Sequence, residues 1–212
     1  MCNLYTTKAS AAEVAAHFSA VIPQAFNAGA GDMYPGGVGM VVREDAGQRV
    51  LQSMVWGWPR KQVSKKTGKP IKPKAVNNMA SLDGYPWRFL AGRADRRCII
   101  PLTGFAEAEG EEGRKTRTWF TLKDRPIFGW AGLWDDSVEW GPWYSGLMMD
   151  SENNCVVRPV HNRMPVLLHE DEYDVWLHGS LDDAKAIEAR CYPEELPLIE
   201  RTPDLWYRGK GA

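Results

Sequence analysis

The N-terminal sequence Met-Cys-Asn-Leu-Tyr places a cysteine directly behind the initiator methionine. A small second residue generally allows the methionine to be removed, which would leave Cys2 with a free α-amine beside its thiol. An α-amine has a pKa near ~8, against ~10.4 for lysine, so it offers on the order of a hundred times more free base at neutral pH. The thiol, with a pKa near ~8.5, is a second nucleophile once ionised. The pair is matched to an aldehyde, because amine and thiolate together close a five-membered thiazolidine ring on its carbon.

Glu107 is a candidate acid or base for such a reaction. It follows the apolar run 98–102 in the segment RRCIIPLTGFAEAEG, so it is expected near the end of a buried strand. A buried carboxyl has a raised pKa and can exchange a proton near neutral pH. The alternative is that Glu107 belongs to an exposed acidic turn with Glu109, Glu111 and Glu112.

His161 and the pair Asn77–Asn78 are further polar candidates. His161 stands between a turn and a predicted strand in RPVHNRMPVLL, where it could transfer protons or be an ordinary half-buried histidine. Asn77 and Asn78 stand in AVNNMAS. Their side chains could hold a substrate or a backbone in place, although asparagine is also a common turn residue.

The charge of the chain is nearly balanced overall but uneven along the sequence. The net charge is −1, whereas RKQVSKKTGKPIKPK (60–74) holds seven positive residues and no negative one. Such a segment can contact phosphates. The alternative is a solvated loop, which its glycine and prolines also favour, and a loop is the structure predicted for 60–74.

Composition excludes several classes of protein. The 212 residues fit one domain, expected over 1–212, and no run of ~18 apolar residues predicts a membrane span. No signal peptide is recognisable, so we expect a cytoplasmic protein.

The four cysteines form no CxxC pair and the four histidines form no ligand pair, so we expect no metal and no cofactor. Cys98 and Cys155 lie in apolar sequence and are expected in the core, and the protein is expected to be a monomer.

The periodicity predicts many strands in sequence, with helices mostly near the ends. This pattern favours an α+β fold with largely antiparallel pairing over an alternating βαβ fold. Helix 10–22 begins with a capping box formed by Ser10 and Glu13, and Gly179 ends a second helix. Strands are predicted within 33–45, 50–58, 96–110, 116–123, 126–136, 143–150 and 158–168, and helices over 10–22, 169–179 and 181–192.

The order of the motifs resembles that of a known family. MCNLY, YPGGVG, VWGWP, an asparagine turn, RRCIIPLTGFAEAEG, GWAGLW and HNRMPVLL follow one another as in the SRAP family, the SOS response-associated peptidases, whose better-understood role is crosslinking to abasic sites in DNA. The resemblance covers Cys2 to about residue 180 and leaves a C-terminal helix and tail (181–212) beyond it. It implies a single domain with a barrel-like core of mostly antiparallel strands and a few flanking helices.

The resemblance also implies roles for the polar candidates. Cys2, after loss of Met1, would be the nucleophile that captures the aldehyde of a ring-opened abasic sugar. Glu107 would assist the proton transfers of imine formation. His161 would help to open the sugar ring and reverse the crosslink. The active-site asparagine would be Asn78, with Asn77 as the alternative.

The implied partner is single-stranded DNA containing abasic sites. One departure from the family pattern is Ala80, which stands where the family usually has an arginine two residues after the asparagine, and the lysines of 60–74 could replace that phosphate contact. The expected DNA-contacting residues are Trp56, Trp87 (or Trp58), Arg88, Arg163, Lys65 and Lys66.

Two other functions remain open at the level of sequence. The first is an N-terminal-nucleophile amidohydrolase or a cysteine peptidase, since such enzymes can also begin Met-Cys, and Cys2 could release its own leading residue. The second is a non-catalytic module that binds single strands through the basic segment and the tryptophans. The first predicts acylation of Cys2, and the second predicts binding that is indifferent to a Cys2→Ala substitution.

Overall fold

The computed structural model describes residues 2–138, 140–152 and 154–206. Met1, whose removal the predicted chemistry requires, and the end of the predicted C-terminal tail (207–212) lie outside the described residues. The strands are β1 (Leu4–Thr7), β2 (Gly31–Met33), β3 (Val38–Asp45), β4 (Gln48–Trp56), β5 (Trp58–Val63), β6 (Pro70–Val76), β7 (Asn78–Met79), β8 (Arg97–Leu102), β9 (Gly104–Glu109), β10 (Thr116–Leu122), β11 (Phe128–Ser137), β12 (Gly141–Asp150), β13 (Arg163–Pro165), β14 (Leu167–Leu168) and β15 (Pro197–Leu205). The helices are α1 (Ala11–Phe18), α2 (Arg88–Ala91), α3 (Glu172–His178) and α4 (Leu181–Ala189), with a 3-10 turn at Ala94–Arg96.

The main sheet closes on itself as a ring. Strand β4 pairs with β3, β3 with β8, β8 with β11, β11 with β12, and β12 returns to β4. Every pairing in the ring is antiparallel except β12 with β4. A second sheet, in the order β15–β10–β9–β1–β2, carries the N-terminal strand. The predicted α+β fold with mostly antiparallel strands is therefore confirmed.

Aromatic side chains fill the interior between the strands. Tyr5 packs edge-on against Trp56 with ring centroids 5.0 Å apart, and Trp56 stacks on Tyr144. Trp130 donates from its indole nitrogen to the Leu147 carbonyl at 2.6 Å, which satisfies its one buried polar group. These contacts join β1, β4, β11 and β12 into one core, in which Tyr5 anchors the N-terminal strand.

The predicted helices are present but shorter. Helix α1 begins with the predicted capping box of Ser10 and Glu13 and ends at Phe18, because Ser19 adopts a left-handed conformation (φ 52°). Helix α3 begins three residues later than predicted and ends at the predicted stop, Gly179. Helix α4 ends at Ala189, before 190–192.

The prediction of a loop over 60–74 is wrong. Most of this segment lies in a two-stranded antiparallel ribbon, in which β5 and β6 pair from Trp58–Val76 to Val63–Pro70. The backbone of Ser64 donates to Lys69 across the turn. The segment lacks the alternation of apolar and polar residues that predicts a strand, because both faces of the ribbon are largely solvated and only the backbone ladder holds it.

Two expectations for the C-terminal half are also corrected. The segment beyond α4 is not simply a tail, because Pro197–Leu205 forms β15, which pairs along β10. Cys98 is buried as expected, whereas Cys155 is exposed. Its apolar neighbours Val156 and Val157 supply the local core contacts instead.

Candidate active site

Cys2 lies in the interior, just before β1. Its residue has no exposed surface, and the thiol donates to the carbonyl of Leu4 at 3.4 Å. Burial raises the pKa of the Cys2 thiol well above its usual value, and the nearby charge of Glu107 raises it further. The thiol is therefore held in its protonated form, and any reaction through the thiolate would require a base to remove that proton.

Glu107 lies on β9, the neighbour of β1. Leu4 pairs with Ala106 in this ladder, which brings the Glu107 carboxyl within electrostatic reach of Cys2. Glu107 is only 2% exposed, so it is not part of an exposed acidic turn. Burial raises the pKa of this carboxyl to about 7. At neutral pH the group is thus present in both protonation states, as a residue that gives and takes protons requires.

Asn77 and Asn78 both reach the backbone of Cys2. The side-chain nitrogen of Asn78 donates to the Cys2 carbonyl at 2.6 Å, and that of Asn77 donates to the same oxygen at 3.0 Å. Asn77 also donates to the side-chain oxygen of Asn3 at 3.1 Å. Both of the asparagines that the sequence offered as alternatives therefore contact the backbone of Cys2. The sequence did not predict that the two side chains would bind the same atom, because each asparagine there resembles a turn residue.

His161 is half-buried in the turn before β13. Its Nδ1 lies 3.0 Å from the backbone nitrogen and 2.9 Å from the carbonyl of Arg163. Nδ1 can accept from the N–H when the ring is neutral and donate to the carbonyl when it carries a proton there. Burial lowers the pKa of His161, and the positive charges of Lys115 and Arg163 also lower it, against the opposing effect of the hydrogen bond to Arg163. The neutral ring is therefore favoured.

Arg163 connects the histidine turn to the asparagine strand. Its guanidinium donates to the carbonyl of Ala80, just beyond β7, and to the carbonyl of Met148 at 3.5 Å. Ala80 is the position where the family pattern has an arginine. In this chain, an arginine from a different strand comes close to that position and binds its backbone.

The tryptophans expected to contact DNA lie mostly inside the protein. Trp56 has no exposed surface and donates to the Asn77 carbonyl at 3.0 Å. Trp87 is 5% exposed and packs edge-on against Trp58, which is half-buried. Neither Trp56 nor Trp87 presents an open ring face, because the alternating strand and the short helix turn them into the core. In this structure Trp56 holds the carbonyl of Asn77, and Trp87 supports the half-buried ring of Trp58.

Three of the expected cationic contacts are exposed, whereas the fourth, Arg163, is half-buried. Lys65 and Lys66 lie in the turn of the β5–β6 ribbon, and Arg88 is exposed at the start of α2. Within the described part of the chain, no cation of the ribbon forms an ion pair. Strand β6 leads directly to Asn77, so the positive ribbon adjoins the site.

A cleft of about 350 Å³ opens beside Asn77. Its walls include Asn3, Asn77 and Lys74, together with two aromatic residues that the sequence did not single out, Tyr34 and Trp206. Tyr34 belongs to the YPGGVG motif, which was the available signal, whereas Trp206 is brought there only by the pairing of β15 with β10.

No group of three or more His, Cys, Asp or Glu side chains in the described ranges is placed to hold a metal ion. Among the same residues, no helix has the length and apolar character needed to cross a membrane.

The comparison with known proteins identifies the family of this chain. A profile of the SOS response associated peptidase (SRAP) family matches residues 1–200, and the chain therefore belongs to the SRAP family. Its relatives include the abasic site processing proteins YoqW and YoaM of Bacillus subtilis (strain 168). YoqW is 23% identical over 168 residues, which cover 76% of this chain and 72% of that protein. YoaM is 26% identical over 168 residues, which cover 76% of this chain and 71% of that protein.

Solved structures share the fold. A crystal structure of a protein from Bordetella bronchiseptica superposes with a TM-score of 0.76 at 23% identity, covering 95% of this chain and 99% of that one. A protein from Bacteroides thetaiotaomicron gives a TM-score of 0.72 at 19% identity, covering 94% and 91% of the two chains. These similarities show that the fold is shared.

Proposed function

We propose that this protein captures abasic sites in single-stranded DNA covalently, through a thiazolidine formed on Cys2 after Met1 has been removed. The observation that carries the proposal is the arrangement around Cys2: its carbonyl accepts two asparagine amides, and a carboxyl with a pKa of about 7 lies beside its thiol. The names of the relatives YoqW and YoaM, abasic site processing proteins, support the choice of substrate.

The reaction begins with the amine. The lone pair of the Cys2 amine adds to the aldehyde carbon of the ring-opened sugar, and a proton passes from nitrogen to the aldehyde oxygen. Loss of one water then gives the imine. The sulfur adds to the imine carbon, and the thiol proton ends on the ring nitrogen. One molecule of water is released overall, and no oxidant or reductant is needed.

Glu107 is the residue that would move these protons. In its protonated form it can donate to the departing hydroxyl, and the resulting carboxylate can take the proton from the buried Cys2 thiol. A pKa of about 7 allows both steps at neutral pH. His161, with a neutral ring favoured by burial, would act on the sugar hydroxyls during ring opening and reversal.

The DNA strand would be held mainly by charge. Lys65 and Lys66 carry positive charges at the turn of the ribbon. Arg88, which directly follows Trp87 in the sequence, is a further exposed cation. Phosphate contacts by lysine need little geometric precision. The cleft beside Asn77, with Tyr34 and Trp206, supplies aromatic surface of the kind on which bases stack.

The decisive experiment uses protein whose N-terminus has been verified by intact mass. It is incubated with single-stranded DNA containing one abasic site and analysed on a denaturing gel. We expect a heat-stable shifted band in the wild type and none for Cys2→Ala. Cys155→Ala is the matched control, since it removes an exposed thiol and should leave the band unchanged. No band from wild-type protein shown to begin at Cys2 would overturn the proposal.

The same preparation distinguishes the other functions. Acylation of Cys2 by a glutamine or peptide analogue, without a DNA crosslink, would instead indicate an amidohydrolase or peptidase. Reversible, salt-sensitive DNA binding that is the same in Cys2→Ala, again without a crosslink, would indicate a binding module. Where the band forms, Asn78→Ala, Glu107→Gln and His161→Ala should each slow its formation.

A further inference from the structure

Two consecutive side chains bind one atom in this site. Neighbouring residues of an extended strand point to opposite faces, yet Asn77 and Asn78 both donate to the carbonyl oxygen of Cys2. Their convergence is possible because Asn77 lies between β6, which ends at Val76, and β7, which begins at Asn78. The chain changes direction between the ribbon and the ring, and both amides turn toward β1.

The Asn77 segment is held on both sides. Its carbonyl accepts from the indole nitrogen of buried Trp56 at 3.0 Å and from the backbone of Gly146 at 2.9 Å. Its side-chain nitrogen uses one hydrogen for the Cys2 carbonyl and the other for the Asn3 side chain. The Cys2 carbonyl defines the amide orientation of Asn77, because the opposite orientation would set the side-chain oxygen against that acceptor.

The carbonyl of Cys2 receives as many donors as it has lone pairs. A carbonyl oxygen has two, and the amides of Asn77 and Asn78 take them at 3.0 and 2.6 Å. Two N–H donors on one carbonyl draw electron density from it, as an oxyanion hole does. The α-amine of Cys2, after removal of Met1, stands on the adjacent carbon and shares in that withdrawal.

We propose that Asn77 is a second positioning residue for the Cys2 nucleophile, which holds the carbonyl jointly with Asn78 so that the amine is both aimed and made less basic. This inference rests on the proposed function. An α-amine is already less basic than lysine, near ~8 against ~10.4, because a carbonyl adjoins it, and stronger polarisation of that carbonyl extends the same effect. The fixed carbonyl also limits rotation of the amine relative to β1.

The test compares Asn77→Leu with wild type in single-turnover crosslinking across a range of pH. We expect crosslinking at saturating DNA to be about tenfold slower at neutral pH, with the rise in rate displaced by about one pH unit to the alkaline side. The comparison is made at saturating DNA because Asn77 also lines the proposed DNA cleft, so that a change in affinity does not enter the measured rate. Asn27→Leu, which replaces an exposed asparagine remote in sequence from the site, is the matched control and should behave as wild type.

A second variant guards against a general loss of folding. Asn77→Asp keeps the size of the side chain but sets a carboxylate oxygen against the Cys2 carbonyl and favours the charged amine. It should be slower than Asn77→Leu at neutral pH and should recover toward the wild-type rate at alkaline pH. A misfolded protein would not recover in this way. The inference would be overturned if both variants gave the pH profile of the wild type, or if they lost only DNA affinity.

A small aldehyde separates this inference from the proposed function. Glyoxylate forms a thiazolidine with an N-terminal cysteine without any DNA, and intact mass reports its addition. The wild type should react faster than Asn77→Leu at neutral pH, by the same factor as in crosslinking. If wild type reacts with glyoxylate but not with abasic DNA, the proposed substrate fails while the role of Asn77 stands. If the two proteins react equally with glyoxylate, the role of Asn77 fails alone.

Discussion

Replacing Glu107 with glutamine should make the protein more stable at neutral pH and slower as a catalyst. The pKa of this carboxyl rises from 4.5 to about 7 because it is buried. Each unit of pKa is worth ~1.4 kcal/mol, so ionised Glu107 costs the native state about 3 kcal/mol. Glutamine has a similar shape and no charge, so the variant escapes this cost.

The direction of the pH dependence follows from proton binding. Between pH 4.5 and about 7 the unfolded chain has lost the Glu107 proton while the native protein still holds it. Because the native state binds more protons, stability falls as pH rises through this window. Below the window the carboxyl is protonated in both states, and the wild type should resemble the variant. Above it, Glu107→Gln should be the more stable protein by up to about 3 kcal/mol.

Urea unfolding at a series of pH values measures this difference, with tryptophan fluorescence as the signal. The matched control is Glu109→Gln on the same strand. Although burial acts to raise the pKa of Glu109, its hydrogen bonds to Thr118 and Arg201 lower it overall, so this substitution should destabilise the protein above acidic pH. Parallel stability curves for wild type and Glu107→Gln across the whole range would refute the reasoning, as would unchanged crosslinking rates.

Three further predictions concern the surroundings of the site. Lys65→Ala combined with Lys66→Ala should weaken DNA binding and reduce the slope of log affinity against log salt by roughly 1 to 1.5, since each phosphate contact to a single strand contributes about 0.7; titration at several salt concentrations measures this. Arg163→Ala should raise the activation free energy of crosslinking by more than it lowers the free energy of unfolding, because the guanidinium connects the histidine turn to the asparagine strand. Parallel measurements of rate and of denaturation compare the two changes. Gly146→Ala should destabilise the fold by about 1–3 kcal/mol in urea, because an added methyl group would meet the ring of Trp130.

Two of these predictions have a matched control in the chain. Lys123→Ala removes an exposed lysine outside the ribbon and should leave the salt dependence unchanged. Gly92→Ala adds a methyl group into open space at a backbone φ of −68° and should be nearly neutral. A salt slope that is the same with and without Lys65 and Lys66 would mean that the ribbon does not contact phosphates. A Gly146→Ala protein as stable as wild type would mean that the core above Trp130 relaxes freely.

The sequence by itself determined the kinds of residue and the class of fold. The position of Cys2 behind methionine depends on no folding, and the apolar run before Glu107 predicts a buried strand on any arrangement of the sheet. Strand and helix periodicity likewise led to the α+β fold, because period is a local property. Periodicity gave a wrong prediction over 60–74. Both faces of that ribbon are solvated and show no apolar pattern, and only the hydrogen bonds of the backbone ladder hold its strands together.

Only the tertiary structure decided which environment each of these residues has. The pKa of Glu107 depends on which strands enclose it, and the same carboxyl in an exposed turn would be an ordinary acid. The convergence of Asn77 and Asn78 on Cys2 requires the change of direction between β6 and β7, across more than seventy residues of sequence. Trp56 was expected at the surface and is buried, because closing the ring of strands turns it inward against Tyr5 and Tyr144. Long-range pairing sets burial and electrostatic neighbours, and those determine reactivity.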